Sequence, residues 1–90
     1  MSIQVLCIGD VMLDVIVRID VVPEKINYGS DTASRISTGS GGAAGNVAAW
    51  LTRTDARSTI VCHVGDDPAG AAIVADFDAL GVEHEELVIP

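Results

Sequence analysis

The sequence predicts an α/β fold in which a layered sheet is flanked by helices. Three observations lead to this prediction. Short apolar runs that suit buried strands alternate with segments of helical periodicity. The order along the chain is strand, flap, helix, strand, helix, strand, which is typical of parallel sheets joined by helical crossovers. Apolar residues make up 49% of the 90 residues and aromatic residues only 3%, so the core must consist mainly of aliphatic side chains.

The first part of the chain predicts one buried strand and then a flap of two strands. Ile3–Ile8 is nearly all apolar and leads into a Gly-Asp pair, a pattern typical of a strand buried on both faces. Leu13–Asp20 alternates with a period of two, which predicts a strand with one wetter face. A loop over Pro23–Ser30 and a return strand over Asp31–Thr38 follow. We therefore expect residues 14–38 to form a β flap outside the main core.

A glycine-rich turn and a helix are predicted next. Gly39–Gly45 has four glycines in seven residues, which leaves the main chain flexible and free of side chains. The helical spacing of Val47, Trp50 and Leu51 then predicts a helix over Ala44–Thr54.

The last part of the chain predicts a strand, a helix and a strand. Thr59–Val64 has the apolar content of a second buried strand. Asp67 is expected to cap the next helix, Pro68–Leu80, because aspartate favours the N-cap and proline the first turn. Gly81 should end that helix, and Glu86–Ile89 should begin a further strand.

The charge and hydropathy of the chain argue against several classes of function. Its 13 acidic and 5 basic side chains give a net charge of −8, which would repel phosphate backbones, so no nucleic-acid partner is expected. No apolar stretch approaches the ~20 residues needed to span a bilayer. The N-terminus also lacks the basic region of a secretion signal. We therefore expect a cytoplasmic protein with no membrane partner.

Two cysteines and a histidine are interpreted as structural residues. Cys7 and Cys62 lie in predicted buried strands, and in a cytoplasmic protein they should be reduced core thiols rather than a disulfide. His63 lies on an apolar strand and is expected to be a core residue with its hydrogen bonds satisfied.

The glycine-rich turn is the strongest candidate for a binding site. Without side chains, the backbone at Gly41 and Gly42 could approach a ligand closely, and amides at the start of a helix are free to donate hydrogen bonds. The Asn46 side chain, in the first helical turn, can both donate and accept, as a sugar hydroxyl does. The alternative is that the glycines serve tight packing and Asn46 only caps the helix.

Asp14 is the second candidate, because it follows a sheet strand at the edge where α/β proteins bind ligands. Its carboxylate could accept two hydrogen bonds from neighbouring hydroxyls of a polyol. Asp10 is the competing acid, and it is expected to form the turn after the first strand. Arg18 and Arg35 on the flap either face solvent or meet an acidic or phosphorylated sugar.

These motifs, in this order, resemble the opening of PfkB-type (ribokinase-like) carbohydrate kinases. The resemblance covers essentially the whole chain and rests on three spaced segments: Gly9-Asp10 with Asp14, Gly41–Ala48, and Val64–Gly70. Thr54-Asp55 replaces the Leu-Gly that the family has after the helix with the asparagine. Aspartate can adopt the left-handed conformation that ends a helix at modest cost, so this difference bears on local stability.

The resemblance implies specific roles. The family uses the residues that match Asp14, Gly41, Gly42 and Asn46 to hold sugar hydroxyls, and the substrate is a small sugar or a nucleoside. Residues 14–38 would form a β lid that closes over the sugar and pairs with a second subunit as a homodimer contact.

The resemblance also implies what should be missing from this chain. Full-length members use ATP and Mg²⁺, and the residues that bind them match nothing here. The Gly-Ala-Gly-Asp-like second signature, which supplies the catalytic base, is absent from the sequence. The chain is therefore expected to be the N-terminal portion of a ribokinase-like domain, with no catalytic residue and no kinase activity alone. A sheet truncated in this way should be marginally stable, aggregation-prone or dimeric.

Two alternatives remain open. One is a free-standing module that binds a sugar or forms dimers without catalysis. The other is a dinucleotide-binding Rossmann oxidoreductase, because Gly39–Ala44 fits G-x-G-x-x-A. That fingerprint requires its glycines directly after the first buried strand, whereas here about 30 residues intervene.

Overall fold

The computed structural model of the protein describes residues 3–90. It contains five strands and two α-helices, in the order β1 (Gln4–Ile8), β2 (Met12–Arg18), β3 (Arg35–Gly41), α1 (Ala43–Leu51), β4 (Arg57–Gly65), α2 (Pro68–Leu80) and β5 (Glu83–Ile89). A single 3-10 turn, Pro23–Lys25, lies between β2 and β3. No helix among residues 3–90 is long and apolar enough to cross a membrane.

Three of the strands form a parallel sheet, and the other two form a separate antiparallel pair. The parallel sheet has the order β1-β4-β5, and α1 and α2 lie in the connections before and after its central strand. β2 pairs with β3 from Met12↔Gly41 to Arg18↔Arg35. This architecture confirms the predicted α/β class with a parallel sheet and flanking helices.

The core lies between one face of the parallel sheet and the two helices. Alternate residues of β4 are buried, as expected for a strand with one covered face. Ile60 of β4, Ala48 of α1 and Phe77 of α2 are fully buried and belong to one apolar cluster. Ser58, the one buried polar residue described, donates from its hydroxyl to the Ala48 carbonyl at 2.9 Å. Both helices therefore pack on the same side of the sheet.

The opposite face of the sheet is open in the described residues. Leu6 and Ile8 of β1 are 60% and 72% exposed, so the prediction that this strand is buried on both faces is wrong. His63 is exposed on the same open face, and its predicted place in the core is wrong too. Sequence alone could not decide these positions, because an apolar strand residue looks the same whether or not a helix covers it.

The second helix agrees with the sequence prediction at both ends. α2 runs from Pro68 to Leu80, and the Asp67 carboxylate accepts from the Gly70 amide at 2.8 Å. Gly81 follows in the left-handed conformation with φ of 79°. Each end is therefore set by residues adjacent to it in sequence.

The first helix is shorter than predicted. It ends at Leu51 rather than Thr54, because two threonine hydroxyls bind the last carbonyls. Thr52 Oγ1 donates to the Ala49 carbonyl and Thr54 Oγ1 to that of Leu51, both at 2.6 Å. The Thr52 and Thr54 amides donate to the same two carbonyls, at 3.3 and 3.0 Å. Backbone and side-chain bonds together therefore end the helix without a glycine.

The strand boundaries also differ from the predictions. β3 extends through Gly39 to Gly41, which the sequence analysis had assigned to the turn, because these residues pair with β2. β4 and β5 are longer than predicted for the same reason, since neighbouring strands continue the hydrogen bonding. Cys7 and Cys62 are both buried and free, as predicted.

Candidate functional site

The Asp14 carboxylate lies directly against the backbone of Gly41. The two residues are on the same face of the β2–β3 sheet, where Asp14 pairs with Gly39 and Gly41 is the diagonal neighbour. A Cβ atom built on Gly41 would lie 2.6 Å from Asp14 Cγ and 2.7 Å from Asp14 Oδ1. Only glycine leaves room for the carboxylate there. The sequence thus places an exposed acid beside a stretch of bare main chain.

Gly42 makes the turn from β3 into α1. It is the N-cap residue, with φ of 86°, a conformation that favours glycine. A Cβ at this position would also lie 2.6 Å from the Asp10 carbonyl oxygen. The same carbonyl accepts from the Gly45 amide at 3.3 Å. These contacts fix the β1–β2 connection against the first turn of α1.

Asn46 is the fourth residue of α1 and is exposed. Its backbone amide donates to the Gly42 carbonyl at 2.8 Å, so only its side chain is available to a ligand. The N-cap residue of the helix is Gly42, which has no side chain with which to cap it. The alternative interpretation of Asn46 as the cap is therefore wrong.

Asp76 of α2 connects the β2–β3 sheet to the rest of the molecule through hydrogen bonds with Ser40. Its Oδ2 accepts from the Ser40 amide at 3.0 Å and from the Ser40 hydroxyl at 2.5 Å. These two hydrogen bonds lower the pKa of the Asp76 carboxyl below its usual value, the hydroxyl contributing most. Ser40 directly precedes Gly41, so the contact fixes the main chain beside Asp14.

Two clefts open at the carboxyl end of β1, the edge of a sheet where ligands bind in α/β proteins. One lies between the ends of β1 and β4, and the other between β1 and α1. Gly9 and Asp10 line both. Asp14 and Asn46 line neither of these clefts, although α1, which includes Asn46, borders the second one. Asp14 lies against Gly41, Gly42 follows directly, and Asn46 is linked to them through its backbone amide on the Gly42 carbonyl. We call this place, where β2, β3 and α1 meet, the junction, and the binding of one ligand by the four predicted residues stays a prediction.

The contact between Ser40 and Asp76 was not predicted from the sequence. The two residues are 36 positions apart, and an aspartate within a helix gives no indication of its partner. Asp10 lies in the turn after β1, as predicted, where its backbone carbonyl accepts from the Gly45 amide and leaves no room for a Cβ at Gly42.

The described part of the chain offers no cluster for a metal ion. Within residues 3–90, no group of three or more His, Cys, Asp or Glu side chains is arranged to hold one. The groups at the junction are the Asp14 carboxylate, the Asn46 side-chain amide and the backbone of the glycines. All of them are neutral or negatively charged, and all can form hydrogen bonds with hydroxyl groups. Such groups suit a polyol better than a triphosphate.

Comparison with protein-family models gives one match across nearly the whole chain. The model described as "pfkB family carbohydrate kinase" matches residues 2–90. The segments Gly9–Asp14 and Gly41–Ala48 lie within that range.

Comparison with individual proteins also finds kinases that are named for sugar or carbohydrate substrates. The chain is 36% identical over 83 residues to an ATP-dependent ribose-1-phosphate kinase from Halopiger xanaduensis, covering 92% of this chain and 27% of that protein. A carbohydrate kinase from Agrobacterium tumefaciens has a TM-score of 0.80 at 21% identity, with 100% of this chain and 28% of that one covered. A fructokinase with bound ATP from Xylella fastidiosa gives 0.72 at 22% identity, covering 99% and 26%. The chain thus spans about a quarter of the length of these relatives.

Proposed function

Because the chain belongs to the pfkB family of carbohydrate kinases, we propose that it is the sugar-binding segment of an ATP-dependent kinase. The reaction would transfer a phosphoryl group to a hydroxyl of a small sugar or nucleoside. The observation on which the proposal depends most is the Asp14 carboxylate lying over Gly41, beside the start of α1.

The chemistry of the junction supports a polyol ligand. A carboxylate that accepts from two neighbouring hydroxyls fixes the orientation of a sugar ring. Asn46, on the first turns of α1, could add one donor and one acceptor. Phosphoryl transfer depends chiefly on such positioning and on neutralising the charge that develops. The first requirement, positioning of the sugar, would be met by Asp14, Gly41, Gly42 and Asn46.

The second requirement, neutralising the charge that develops during phosphoryl transfer, would be met outside this chain. Relatives are named as ATP-dependent or are seen with ATP bound, and ATP would serve as the phosphoryl donor together with Mg²⁺. We place the residues for ATP, Mg²⁺ and the catalytic base beyond residues 1–90. The isolated 90-residue chain should therefore bind a sugar and turn over no ATP.

Titration calorimetry with a panel of sugars tests this function. The panel contains ribose, fructose, a 2-keto-3-deoxy acid, adenosine and, following the name of the Halopiger relative, ribose 1-phosphate. Asp14→Asn should weaken the preferred ligand at least about tenfold, because hydrogen bonds to a charged acceptor are worth about 1.5–3 kcal/mol. Asp10→Asn is the matched control and should bind normally. Equal losses in both variants, or ATP turnover by this chain alone, would contradict the proposal.

A homodimer contact through the flap is the second part of the proposal. One face of the β2–β3 sheet presents Val15, Val17 and Ile36, which are 59%, 58% and 67% exposed. Adjacent apolar side chains with this exposure are typical of surfaces that another protein covers. A second copy of the chain would bury them against its own flap.

A further inference from the structure

The connection between β2 and β3, at the outer end of the flap, exposes an aromatic side chain on an ordered turn. Tyr28 is 84% exposed, although hydrogen bonds on both sides fix the main chain around it. The Asn27 amide donates to Thr32 Oγ1 at 2.9 Å, and the Asn27 side chain donates to the Asp31 carbonyl at 3.0 Å. Val22, in the same connection, is 58% exposed. Exposed apolar side chains on a fixed turn are typical of a segment that another protein covers.

A cleft at the opposite end of the flap is open to such a side chain. It has a volume of about 350 Å³ and lies where the β2–β3 sheet meets α2. Its lining includes apolar or small side chains from both elements, namely Leu13, Thr38, Ala72, Ala75 and Ala79. Because side chains alternate across a sheet, Leu13 and Thr38 share a face with Val15, Val17 and Ile36. The exposed apolar face of the flap therefore continues into the cleft.

Charge is distributed unevenly between the two ends of the flap. Residues 18–35, at the outer end, have three acidic and three basic side chains. Residues 66–86, which include α2, have seven acidic side chains and no Lys or Arg. Lys25 forms no ion pair with an acid among residues 3–90. Two α2 regions placed together would repel each other, whereas the outer end of a flap can meet α2 and bring Lys25 to its acids.

We propose that the flap faces of two copies pack antiparallel in the homodimer, so that Tyr28 of each copy inserts into the cleft beside α2 of the other. This inference rests on the homodimer contact in the proposed function and specifies its geometry. A two-fold axis allows either equivalent ends or opposite ends of the two flaps to meet. Meeting of equivalent ends would bring the acidic α2 regions together. Meeting of opposite ends separates them and covers Tyr28 and the cleft in one contact.

The dimensions of the flap fit this arrangement. β2 and β3 pair over seven rows, from Met12↔Gly41 to Arg18↔Arg35. Two flaps that overlap along all seven rows place the connection of one copy just beyond Met12 of the other. There α2 borders the sheet, since Asp76 accepts from Ser40. The connection therefore reaches α2 without a change in either fold.

Sedimentation velocity tests the contact through the dissociation constant of the dimer. Tyr28→Ala should raise that constant at least about tenfold, because aromatic anchors contribute most to such contacts. Ala75→Glu should weaken the dimer as well, by placing a charge in the cleft. Ala71→Glu is the matched control, at another exposed position of α2 outside the cleft, and should leave the dimer intact. Added salt should weaken the dimer, and Lys25→Gln should reduce that effect.

Disulfide cross-linking between copies measures the orientation directly. Oxidation of a Tyr28→Cys/Ala75→Cys double variant should link two copies, seen as a dimer on a non-reducing gel. Neither single variant should link, because antiparallel flaps hold two equivalent positions at opposite ends of the contact. Cys7 and Cys62 are buried, so the unchanged chain under the same oxidant should stay unlinked.

The outcomes separate this inference from the function on which it rests. A dimer that Ile36→Lys dissociates, but that Tyr28→Ala and Ala75→Glu leave intact, would overturn the antiparallel arrangement and retain the flap contact. Cross-linking of Tyr28→Cys alone would overturn it too, since the outer ends of the two flaps would then meet. A chain that is monomeric at every concentration would contradict both the arrangement and the homodimer, while sugar binding that depends on Asp14 would still support the kinase function.

Discussion

At the scale of single residues, position 41 requires glycine because of the neighbouring Asp14 carboxylate and not because of its own backbone conformation. Gly41→Ala would bring a Cβ within 2.7 Å of Asp14 Oδ1, so the acid must leave its present position. We expect sugar affinity to fall at least about tenfold and the free energy of unfolding by roughly 1–3 kcal/mol, the usual cost of overpacking. Calorimetry and urea denaturation measure the two effects.

Gly39→Ala is the matched control for that variant. Gly39 is in the same strand and faces Asp14 across the sheet, but a Cβ there meets no atom within 4 Å. Its affinity should equal that of the unchanged chain. If Gly41→Ala also binds normally, the carboxylate does not hold the sugar from its observed position.

His84 makes the stability of the fold depend on pH. Its ring lies between two carboxylates, with Nδ1 2.6 Å from Glu86 Oε2 and Nε2 2.6 Å from Asp78 Oδ1. These contacts, that of Glu86 foremost, raise the pKa of His84 above its usual 6.5. The stabilisation is therefore fully present below the unfolded pKa and is lost as pH rises through the higher folded pKa.

Thermal unfolding across neutral pH measures this dependence. The melting temperature should fall as the solution becomes basic, and His84→Gln should flatten the curve over that range. His63→Gln is the control, since His63 is exposed on the open face of the sheet. A slope that His84→Gln leaves intact would assign the pH dependence to other groups.

At the scale of elements, the sequence predicted a boundary correctly where the residues that set the boundary lie next to it in the chain. The bounds of α2 were predicted correctly, because Asp67 and Gly81 act on the helix ends beside them. The bounds of β3 were wrong, because pairing with β2 decides where that strand ends. The junction was predicted as a set of residue types, but the Asp14–Gly41 contact depends on the register between strands. No sequence pattern specifies that register before the fold is known.

The contact between Ser40 and Asp76 joins two such elements, the β2–β3 sheet and α2. Asp76→Ala should lower the free energy of unfolding by about 1–2 kcal/mol, because it removes an acceptor shared by two donors. Its pKa is lowered in the fold. The contribution is therefore present above the unfolded pKa and lost as pH falls through the folded value.

A double-mutant cycle with Ser40→Ala tests that contact by urea denaturation. The two changes should be less than additive, since each breaks the same hydroxyl bond. Sugar affinity should also fall in Asp76→Ala, because Ser40 holds the main chain next to Gly41. Additive losses in stability would mean that the two side chains do not depend on each other.

At the scale of the whole molecule, the chain exposes more surface than its size requires. Its accessible area is 6474 Å², whereas about 5,000 Å² is expected for a folded chain of this mass. The radius of gyration is 16.5 Å, against about 12 Å for a compact domain of this length. Two apolar surfaces contribute to the excess: the flap face, formed by Val15, Val17 and Ile36, and the open sheet face, formed by Leu6, Ile8 and Leu87.

Self-association of the chain should therefore depend on which of these surfaces another copy covers. The homodimer proposal assigns the contact to the flap face, so Ile36→Lys should shift a dimer towards monomer by placing a charge at its centre. Ile8→Lys makes the same change on the open sheet face, at a residue of similar exposure (72% against 67%), and should leave the dimer intact. Sedimentation velocity over a range of concentrations distinguishes the two. Dissociation by Ile8→Lys alone would assign the contact to the open sheet face and contradict a dimer through the flap.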